Sequence, residues 1–215
     1  MRQDLTEIIL VVDRSGSMQS CAGDAQGGIN SFIKEQKEAE GDANFTLVQF
    51  DTEYEFVHKG TPIQDVPDYQ LKPRGMTALL DAVGRAIVET GERLSKMDEA
   101  ERPGNVICVI VTDGHENSSK EYTVDQIKKM IDEQREKYSW IFNFLGADEL
   151  AFKQAASLGI SRQFAAAYDS SKSGDTHRKM SEKVATMRCC ASRGASSAQL
   201  SENMSFTEDD REEIG

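Results

Sequence analysis

Ile8-Ile9-Leu10-Val11-Val12-Asp13-Arg14-Ser15-Gly16-Ser17-Met18 is the stretch of sequence that decides the fold. Its first five residues are all apolar and mostly β-branched, which is typical of a strand buried on both faces in the middle of a parallel sheet. The carboxylate of Asp13 and the hydroxyls of Ser15 and Ser17 follow at once, and Gly16 between the hydroxyls permits a tight loop. The spacing predicts a group of oxygen atoms at the carboxyl end of a strand, where open α/β sheets bind ligands.

Two interpretations of these polar residues are open at this point. Carboxylate and hydroxyl oxygens are hard ligands, which suit Mg2+ or Mn2+ and not Zn2+. Alternatively, Asp13 and the serines cap the next helix, because both residue types are favoured at helix N-termini. A metal site would need further ligands from elsewhere in the chain.

Composition excludes several classes of protein. The chain has 215 residues, of which 38% are hydrophobic and 29% charged, as expected for one globular domain with its own core. A formal net charge of -12 argues against binding to nucleic acid or to an anionic membrane surface. No apolar run approaches the roughly 20 residues of a membrane helix, and the first residues lack a signal-peptide pattern. The four cysteines show neither metal-binding nor disulfide spacing, so we expect a cytoplasmic protein.

The rest of the chain alternates strands with helices. A second fully buried strand is predicted over residues 105–112, and its segment 106–111 should lie beside the strand 8–12. Residues 54–59 mix apolar and charged side chains, which indicates an antiparallel strand at the edge of the sheet. The pattern predicts a doubly wound α/β fold with a mainly parallel central sheet and helices on both faces.

The predicted domain spans residues 1–190, with a core over about 6–166 and a closing helix over about 173–188. Beyond Cys190 the composition changes to Ser, Ala and Gly and then to the acidic run 208–213. Such a segment has too few large apolar residues to offset an ordering entropy of ~1–2 kcal/mol per residue. We therefore predict that residues 191–215 are disordered and dispensable for folding.

Further oxygen ligands lie at two distant places in the chain. Asp113 follows the second buried strand directly, and Thr77 lies in a loop before a helix. Since the carboxyl ends of parallel strands lie on one edge of a sheet, these side chains could meet around one cation, with water completing six-coordination. The predicted metal ligands are Asp13, Ser15, Ser17, Thr77 and Asp113.

These motifs resemble those of the von Willebrand factor type A family. Residues 13–17 match its Asp-x-Ser-x-Ser motif, Gly75-Met76-Thr77 matches its threonine loop, and 111–114 (Val-Thr-Asp-Gly) matches its aspartate loop. The resemblance spans about residues 6–159, and the motif set is complete. In the family these positions form the metal-ion-dependent adhesion site. The segment 144–149 and the helix after it are also similar to intracellular bacterial and phage members.

The resemblance implies a role for each ligand. Ser15 and Ser17 would bind the metal directly, and Thr77 would bind directly in one state and through water in another. Asp13 and Asp113 would bind chiefly through water. Two carboxylates roughly neutralise a divalent ion and hydroxyls add no charge, so an open position stays attractive to an incoming carboxylate. The predicted function is therefore a non-enzymatic protein-binding module, in which Mg2+ or Mn2+ is coordinated by an acidic residue of a partner protein.

Residues beside the motifs are candidates for contacts with the partner. They could line the rim of the site, although solvated loop side chains are the favoured interpretation. The candidate rim residues are Arg14, Met18, Met76, His115 and Glu116.

Three other functions compete with this interpretation of the motifs. A phosphatase could use Asp13 as its nucleophile, but the general acid expected two residues later is replaced by Ser15. A dinucleotide-binding oxidoreductase is disfavoured because no Gly-x-Gly-x-x-Gly follows the first strand. The chain could also be a structural scaffold or self-assembling protein with a non-exchanging metal. As a separate alternative to a partner protein, the acidic run 208–213 could occupy the open metal position of a neighbouring molecule and give weak self-association.

Overall fold

The computed structural model describes residues 1–147, 149–168 and 173–214. Residue 148, within the segment 144–149 that the sequence analysis singled out, lies outside the described residues. Six strands form one sheet in the order β3-β2-β1-β4-β5-β6, and all neighbours are parallel except β2 and β3. The strands are β1 (Arg2–Asp13), β2 (Asp42–Phe50), β3 (Tyr54–Pro62), β4 (Pro103–Thr112), β5 (Ile141–Ala147) and β6 (Ala165–Tyr168).

Helices cover both faces of this sheet. They are α1 (Ala22–Glu38), α2 (Leu79–Ser95), α3 (Val124–Tyr138), α4 (Leu150–Ser157), α5 (Ser173–Ser192), α6 (Ser197–Asn203) and α7 (Glu208–Ile214). Helix α1 packs against α5, and α2 packs against α3. The predicted doubly wound, mainly parallel architecture is confirmed. Within the described residues, no helix has the length and apolar character needed to cross a membrane.

The two central strands carry the most deeply buried part of the core. Residues 8–12 of β1 pair in parallel with 107–111 of β4, and each of these residues is 2% exposed or less. Their predicted adjacency and burial are confirmed. Because both strands are enclosed by the sheet and the helices, the loops that leave their carboxyl ends start from fixed points.

The edge strand β3 also agrees with the sequence pattern. It contains the predicted residues 54–59, runs antiparallel to β2, and alternates exposed with partly buried side chains over most of its length. This alternation arises because successive side chains of a strand point to opposite faces. The hairpin formed by β2 and β3 places its turn, residues 51–53, at the carboxyl edge of the sheet.

The C-terminal segment differs from the sequence prediction. Instead of a disordered tail, residues 191–214 complete α5 and form α6 and α7, and the domain extends to residue 214. The physical reason is that four large apolar side chains of this segment are buried to 4% exposure or less, namely Leu200, Met204, Phe206 and Ile214. Helix α6 also begins with a capping box between Ser196 and Gln199. Gly215 lies outside the described residues.

Polar contacts attach this segment to the sheet and to α5. The amide Nδ2 of Asn143 in β5 donates to the carbonyl oxygen of Met204 at 2.8 Å. Lys183 of α5 forms an ion pair with Asp210 at 2.7 Å, and Lys179 forms one with Glu213. Two of the tail's carboxylates are thus paired within the chain.

Candidate metal centre

Three loops meet at the carboxyl edge of the sheet. We call residues 13–20, which begin with the last residue of β1, the serine loop. Residues 73–78, which precede α2, are the threonine loop, and residues 113–123, which follow β4, are the aspartate loop. The serine loop contains a 3-10 turn over Gly16–Ser20. Because β1 and β4 are neighbours, the serine and aspartate loops leave the sheet side by side.

Hydrogen bonds join the predicted ligands of the serine and aspartate loops. The hydroxyl oxygens of Ser15 and Ser17 lie 2.9 Å apart, and Ser17 donates to Oδ1 of Asp113 at 2.7 Å. Asp13 accepts from the backbone N–H of Ser15 through Oδ1 and from the hydroxyl of Thr112 through Oδ2, both at 2.6 Å. Both Asp13 oxygens are therefore fixed in direction.

The position of Gly114 shows how Thr77 joins this group. A Cβ atom placed on Gly114 would lie 2.8 Å from Oγ1 of Thr77, 3.1 Å from Oδ2 of Asp13 and 3.2 Å from Oγ of Ser17. Oxygens of the threonine and serine loops thus face one point beside the aspartate loop, and only glycine leaves that point free of a side chain. All five residues predicted as ligands lie together at this edge.

Burial raises the pKa values of both carboxyl groups. Burial is the main cause for Asp13, helped by the charge of Asp113, while hydrogen bonds from Thr112 and Ser15 act in the opposite direction. Burial likewise raises the pKa of Asp113, against hydrogen bonds from Ser17 and Cys21. Two carboxylates in a partly desolvated site are stabilised by a nearby positive charge.

The donor set is made of oxygen only. It combines two carboxylates with three hydroxyls, which are ligand types that hard divalent cations accept. Within the described residues, no group of three or more His, Cys, Asp or Glu side chains could hold a metal ion. The arrangement therefore offers a divalent cation oxygen donors from three loops.

Two candidate rim residues point away from the surface. Arg14 is buried, and its guanidinium forms ion pairs with Asp51 at 2.8 Å and Glu55 at 3.1 Å. Met18 is fully buried in the hydrophobic core. Neither side chain is placed to touch a partner, so their prediction as rim residues is corrected.

Glu116 has a structural role instead of a rim role. Its Oε2 accepts from the backbone N–H of Leu80 at 2.9 Å, and its Oε1 accepts from the N–H of Ser119 at 2.8 Å. These bonds tie the aspartate loop to the start of α2. Of the five candidates, only Met76, which is 50% exposed, and His115 have exposed side chains.

Asn117 is a site residue that the sequence analysis missed. Its Oδ1 accepts from the N–H of Thr77 at 2.9 Å, and its own N–H donates to the carbonyl oxygen of Thr77 at 3.0 Å. These reciprocal bonds hold the backbone of Thr77 in place. Its position four residues after Asp113 is not by itself a recognisable signal.

Asp51 is the second missed residue. Its Oδ2 accepts from Nε of Arg14 at 2.8 Å and from Nε of Arg74 at 2.7 Å, and its Oδ1 accepts from the N–H of Glu53 at 2.9 Å. Burial raises the pKa of Asp51, but these hydrogen bonds and the charge of Arg14 outweigh it, so its pKa lies below the ordinary value. A signal was available, since Asp51 follows β2 directly, as Asp13 follows the buried run of β1.

No protein-family model matches the chain, and no curated protein sequence matches it. Solved structures do. Proximal thread matrix protein 1 from the mussel byssus superimposes with a TM-score of 0.60 at 15% identity, covering 86% of this chain and 46% of that chain. A von Willebrand factor type A protein from Catenulispora acidiphila gives a TM-score of 0.54 at 15% identity, covering 83% of this chain and 42% of that chain.

A third structure, the mussel protein with a zinc-occupied metal-ion-dependent adhesion site motif, has a TM-score of 0.59 at 16% identity, covering 86% of this chain and 46% of that chain. The chain spans less than half the length of these three proteins. The sheet and its loops define a doubly wound α/β protein with an oxygen-rich site at the carboxyl edge. More narrowly, its fold is that of von Willebrand factor type A domains.

Proposed function

We propose that this chain is a divalent-metal-dependent protein-binding module. The observation that carries the proposal is the convergence of oxygens from the threonine and serine loops on one point beside Gly114. The zinc-occupied motif of the mussel protein supports a divalent cation on this fold. The proposed ligands are Asp13, Ser15, Ser17, Thr77 and Asp113. We propose Mg2+ or Mn2+ because all five donors are oxygens, whereas zinc sites are usually built from His and Cys.

Charge balance identifies the kind of partner. A bound cation would supply an electrophilic position that a carboxylate can occupy. Asp13 and Asp113 offset the two charges of the ion, and the hydroxyl ligands add none, so a partner's Asp or Glu would still be attracted. The nearby cation Arg14 does not change this balance, because Asp51 and Glu55 already pair with it.

An enzymatic role for Asp13 is less well supported. Asp13 has no exposed surface, and both of its carboxylate oxygens accept short hydrogen bonds. A nucleophile must reach its substrate, and Ser15 stands where a phosphatase of this kind needs its general acid. We therefore propose a non-enzymatic module, and expect no Mg2+-dependent release of phosphate from p-nitrophenyl phosphate.

Self-association through the acidic run is less well supported. Asp210 and Glu213 of the acidic run already pair with Lys183 and Lys179 of the same chain. These two carboxylates are therefore poor ligands for the metal of a neighbouring molecule, and we propose a separate partner protein.

We further propose a cytoplasmic setting in a bacterium or a phage-infected cell. The similarity of segment 144–149 to such proteins supports this, and all four cysteines are free thiols, as is usual in a reducing compartment. Detection of the protein in the periplasmic or secreted fraction of its native cells would contradict the proposal.

Calorimetry tests the metal site. Wild-type protein should bind one Mg2+, and Asp113→Asn should lower the affinity by at least about tenfold, the scale expected when a group of a metal site is lost. His58→Ala is the matched control, because His58 lies on the edge strand β3, and it should leave the affinity unchanged. Equal affinities in wild type and Asp113→Asn would refute the ligand assignment.

Capture from extracts of the native host tests the partner. Wild-type protein should retain the partner in Mg2+ and release it in EDTA, and Asp113→Asn should fail to capture it in either. Thr77→Ala should weaken partner binding more than metal binding, since the resemblance implies that threonine changes its coordination when a partner arrives. A partner that stays bound in EDTA would rule out metal-mediated recognition.

A further inference from the structure

One buried carboxylate connects two of the metal-site loops. Arg14, which lies between the ligands Asp13 and Ser15, and Arg74, three residues before Thr77, donate their Nε hydrogens to the same oxygen of Asp51, at 2.8 and 2.7 Å. Asp51 itself is only 2% exposed. The separation between the serine and threonine loops therefore depends on a residue that belongs to neither loop.

The turn that carries Asp51 also supports the threonine loop from behind. The N–H of Met76 donates to the hydroxyl of Thr52 at 3.0 Å, and the N–H of Ala78 donates to the carbonyl oxygen of Asp51 at 2.7 Å. Residues 74, 76 and 78 thus face the turn, while Thr77 between them faces the metal-site oxygens. The contacts of residues 74, 76 and 78 with the turn therefore help to orient the side chain of Thr77 towards the metal-site oxygens.

Two backbone hydrogen bonds complete the junction between the loops. The N–H of Arg74 donates to the carbonyl oxygen of Arg14 at 2.7 Å, and the N–H of Gly16 donates to the carbonyl oxygen of Gly75 at 3.2 Å. The same two arginines are therefore joined through their backbones and through Asp51. Loss of the carboxylate would leave the buried Arg14 with Glu55 as its remaining ionic partner. It would remove the side-chain part of the restraint between the loops, keep the two backbone hydrogen bonds, and delete no metal ligand.

We infer that Asp51 is the positioning residue that makes the site select Mg2+ over Ca2+. The inference rests on the proposed metal-binding function. Mg2+ requires near-octahedral geometry at about 2.0–2.1 Å, whereas Ca2+ accepts six to eight oxygens at about 2.3–2.6 Å in flexible arrangements. A threonine loop held at a fixed distance from the serine loop suits the smaller ion, and a loosened loop still suits the larger one.

The test compares two affinities in each protein. Mg2+ and Ca2+ are titrated separately into wild-type protein and into Asp51→Asn by calorimetry. In the variant we expect the Mg2+ affinity to fall at least about tenfold, the effect typical of residues that orient metal ligands, and the Ca2+ affinity to change less than about threefold. The ratio of the two affinities is the readout, since partial unfolding would weaken both ions together.

Two further variants provide the controls. Glu55→Gln also loses a contact with Arg14. Among the described residues Glu55 forms no ion pair with the threonine loop, and its side chain is 58% exposed, so the ratio should stay at the wild-type value. Arg74→Gln removes one of the two arginine contacts of Asp51. Because the side chain of Arg74 is 61% exposed, we expect this variant to fold. It should lower the Mg2+-to-Ca2+ ratio in the same direction as Asp51→Asn. Circular dichroism verifies that each variant is folded.

The outcomes separate this inference from the proposed function. If wild-type protein binds neither ion, the proposed metal site is overturned. If wild type binds Mg2+ but folded Asp51→Asn and Arg74→Gln keep its affinity ratio, or lose both affinities equally, the role of Asp51 is overturned and the metal site remains. If Asp51→Asn does not fold, Arg74→Gln decides alone by the same criterion.

Discussion

The threonine loop is joined to its two neighbours in different ways. Towards the aspartate loop it is held by Asn117, whose side chain and backbone both bond to Thr77. Towards the serine loop it is held by Asp51, which accepts from one arginine of each loop. At Thr77 itself the first junction uses a neutral side chain, whereas the side chains of the second junction are charged.

The aspartate-loop junction continues well beyond the site. Asp81, in the first turn of α2, accepts three backbone N–H groups of the aspartate loop at 2.8–3.0 Å, those of Lys120, Glu121 and Tyr122. Glu116 adds its bonds to the start of the same helix. This junction is therefore distributed over several residues, whereas the side-chain part of the other junction depends on one carboxylate. Substitutions in the aspartate-loop junction should mainly lower the stability of the fold. Substitutions at Asp51 should mainly change the geometry of the candidate metal site.

The largest expected loss of stability comes from a substitution that is remote from both junctions. It serves as a reference for the variants within the junctions. Phe206, between α6 and α7, is 3% exposed, so Phe206→Ala should lower the free energy of unfolding by about 4 kcal/mol through lost contacts and a cavity. Urea unfolding measures this, and calorimetry should show an unchanged Mg2+ affinity. A variant as stable as wild type would mean that the C-terminal segment does not pack on the domain.

Removing Asp81 should damage the distributed junction. Asp81→Ala leaves three backbone N–H groups without their acceptor, and we expect a loss of about 3 kcal/mol in the free energy of unfolding. Asp125→Ala, at the exposed first turn of α3, is the matched control and should cost less than about 1 kcal/mol. Equal losses in the two variants would show that the backbone contacts of Asp81 contribute nothing specific.

The charged junction should respond to pH. At pH 7, Asp51→Asn should cost about 2 kcal/mol, because hydrogen bonds to a charged group are lost. The folded-state pKa of Asp51 lies below its ordinary value of 3.8, so the stabilisation is fully present above pH 3.8 and is lost as the pH falls through the lower folded-state pKa. The stability difference between wild type and variant, from urea unfolding at pH 7 and pH 3, should therefore shrink at low pH. A constant difference would show that the charge of Asp51 is not involved.

The neutral junction should show the smallest effect. Asn117→Ala removes the acceptor for the N–H of Thr77 but keeps the backbone bond in the other direction, so about 1 kcal/mol of stability should be lost. This loss should not depend on pH between 3 and 7, unlike that of Asp51→Asn. A pH-dependent loss in Asn117→Ala would break the distinction between the two junctions.

The fold was predictable because burial leaves a clear pattern in the sequence. Five consecutive apolar residues at 8–12 and the similar run at 106–111 fit only enclosed strands, and the parallel pairing of β1 with β4 then brings the residues after them to one edge. The grouping of Asp13 with Asp113 follows from that topology alone. Thr77 was placed by its motif, since its loop does not follow a strand.

Side-chain direction within the loops was harder to predict. Arg14 continues the alternation of β1, so it points to the opposite side from Asp13, towards Asp51 at the end of β2. That alternation was visible in the sequence, but the partner was not, since Asp51 lies 37 residues away. Met18 lies in a 3-10 turn, where no simple spacing tells which side chains are buried.

The C-terminal segment was mispredicted because the prediction used its overall composition and not the spacing of its apolar and capping residues. Ser196 and Gln199 have the separation of a capping box, and Leu200 and Met204 are four residues apart on one side of a helix. A segment rich in Ser, Ala and acidic residues still orders when its few large apolar side chains all reach a pre-existing core. An ordering entropy per residue, set against the average composition of the segment, does not take account of those few buried side chains.

The packing of the C-terminal segment affects whether another chain can add a strand to the sheet. Arg211 of α7 donates to the carbonyl oxygen of Arg162 at 2.9 Å and reaches that of Ala165 in β6 at 3.5 Å, so the helix lies over one outer strand of the sheet. An outer strand covered in this way offers fewer unpaired backbone groups as a template for a strand of another chain.

The opposite outer strand, β3, is protected by its own sequence. It exposes the charged side chains of Glu55 and Lys59, its pairing with β2 is interrupted by register shifts, and it ends at Pro62. Charge, irregular pairing and proline each oppose the addition of a further strand. The two outer strands of the sheet thus resist fibrillar growth by different means. Strand β6 is covered by the helix α7, whereas β3 carries residues that oppose regular pairing with a further strand.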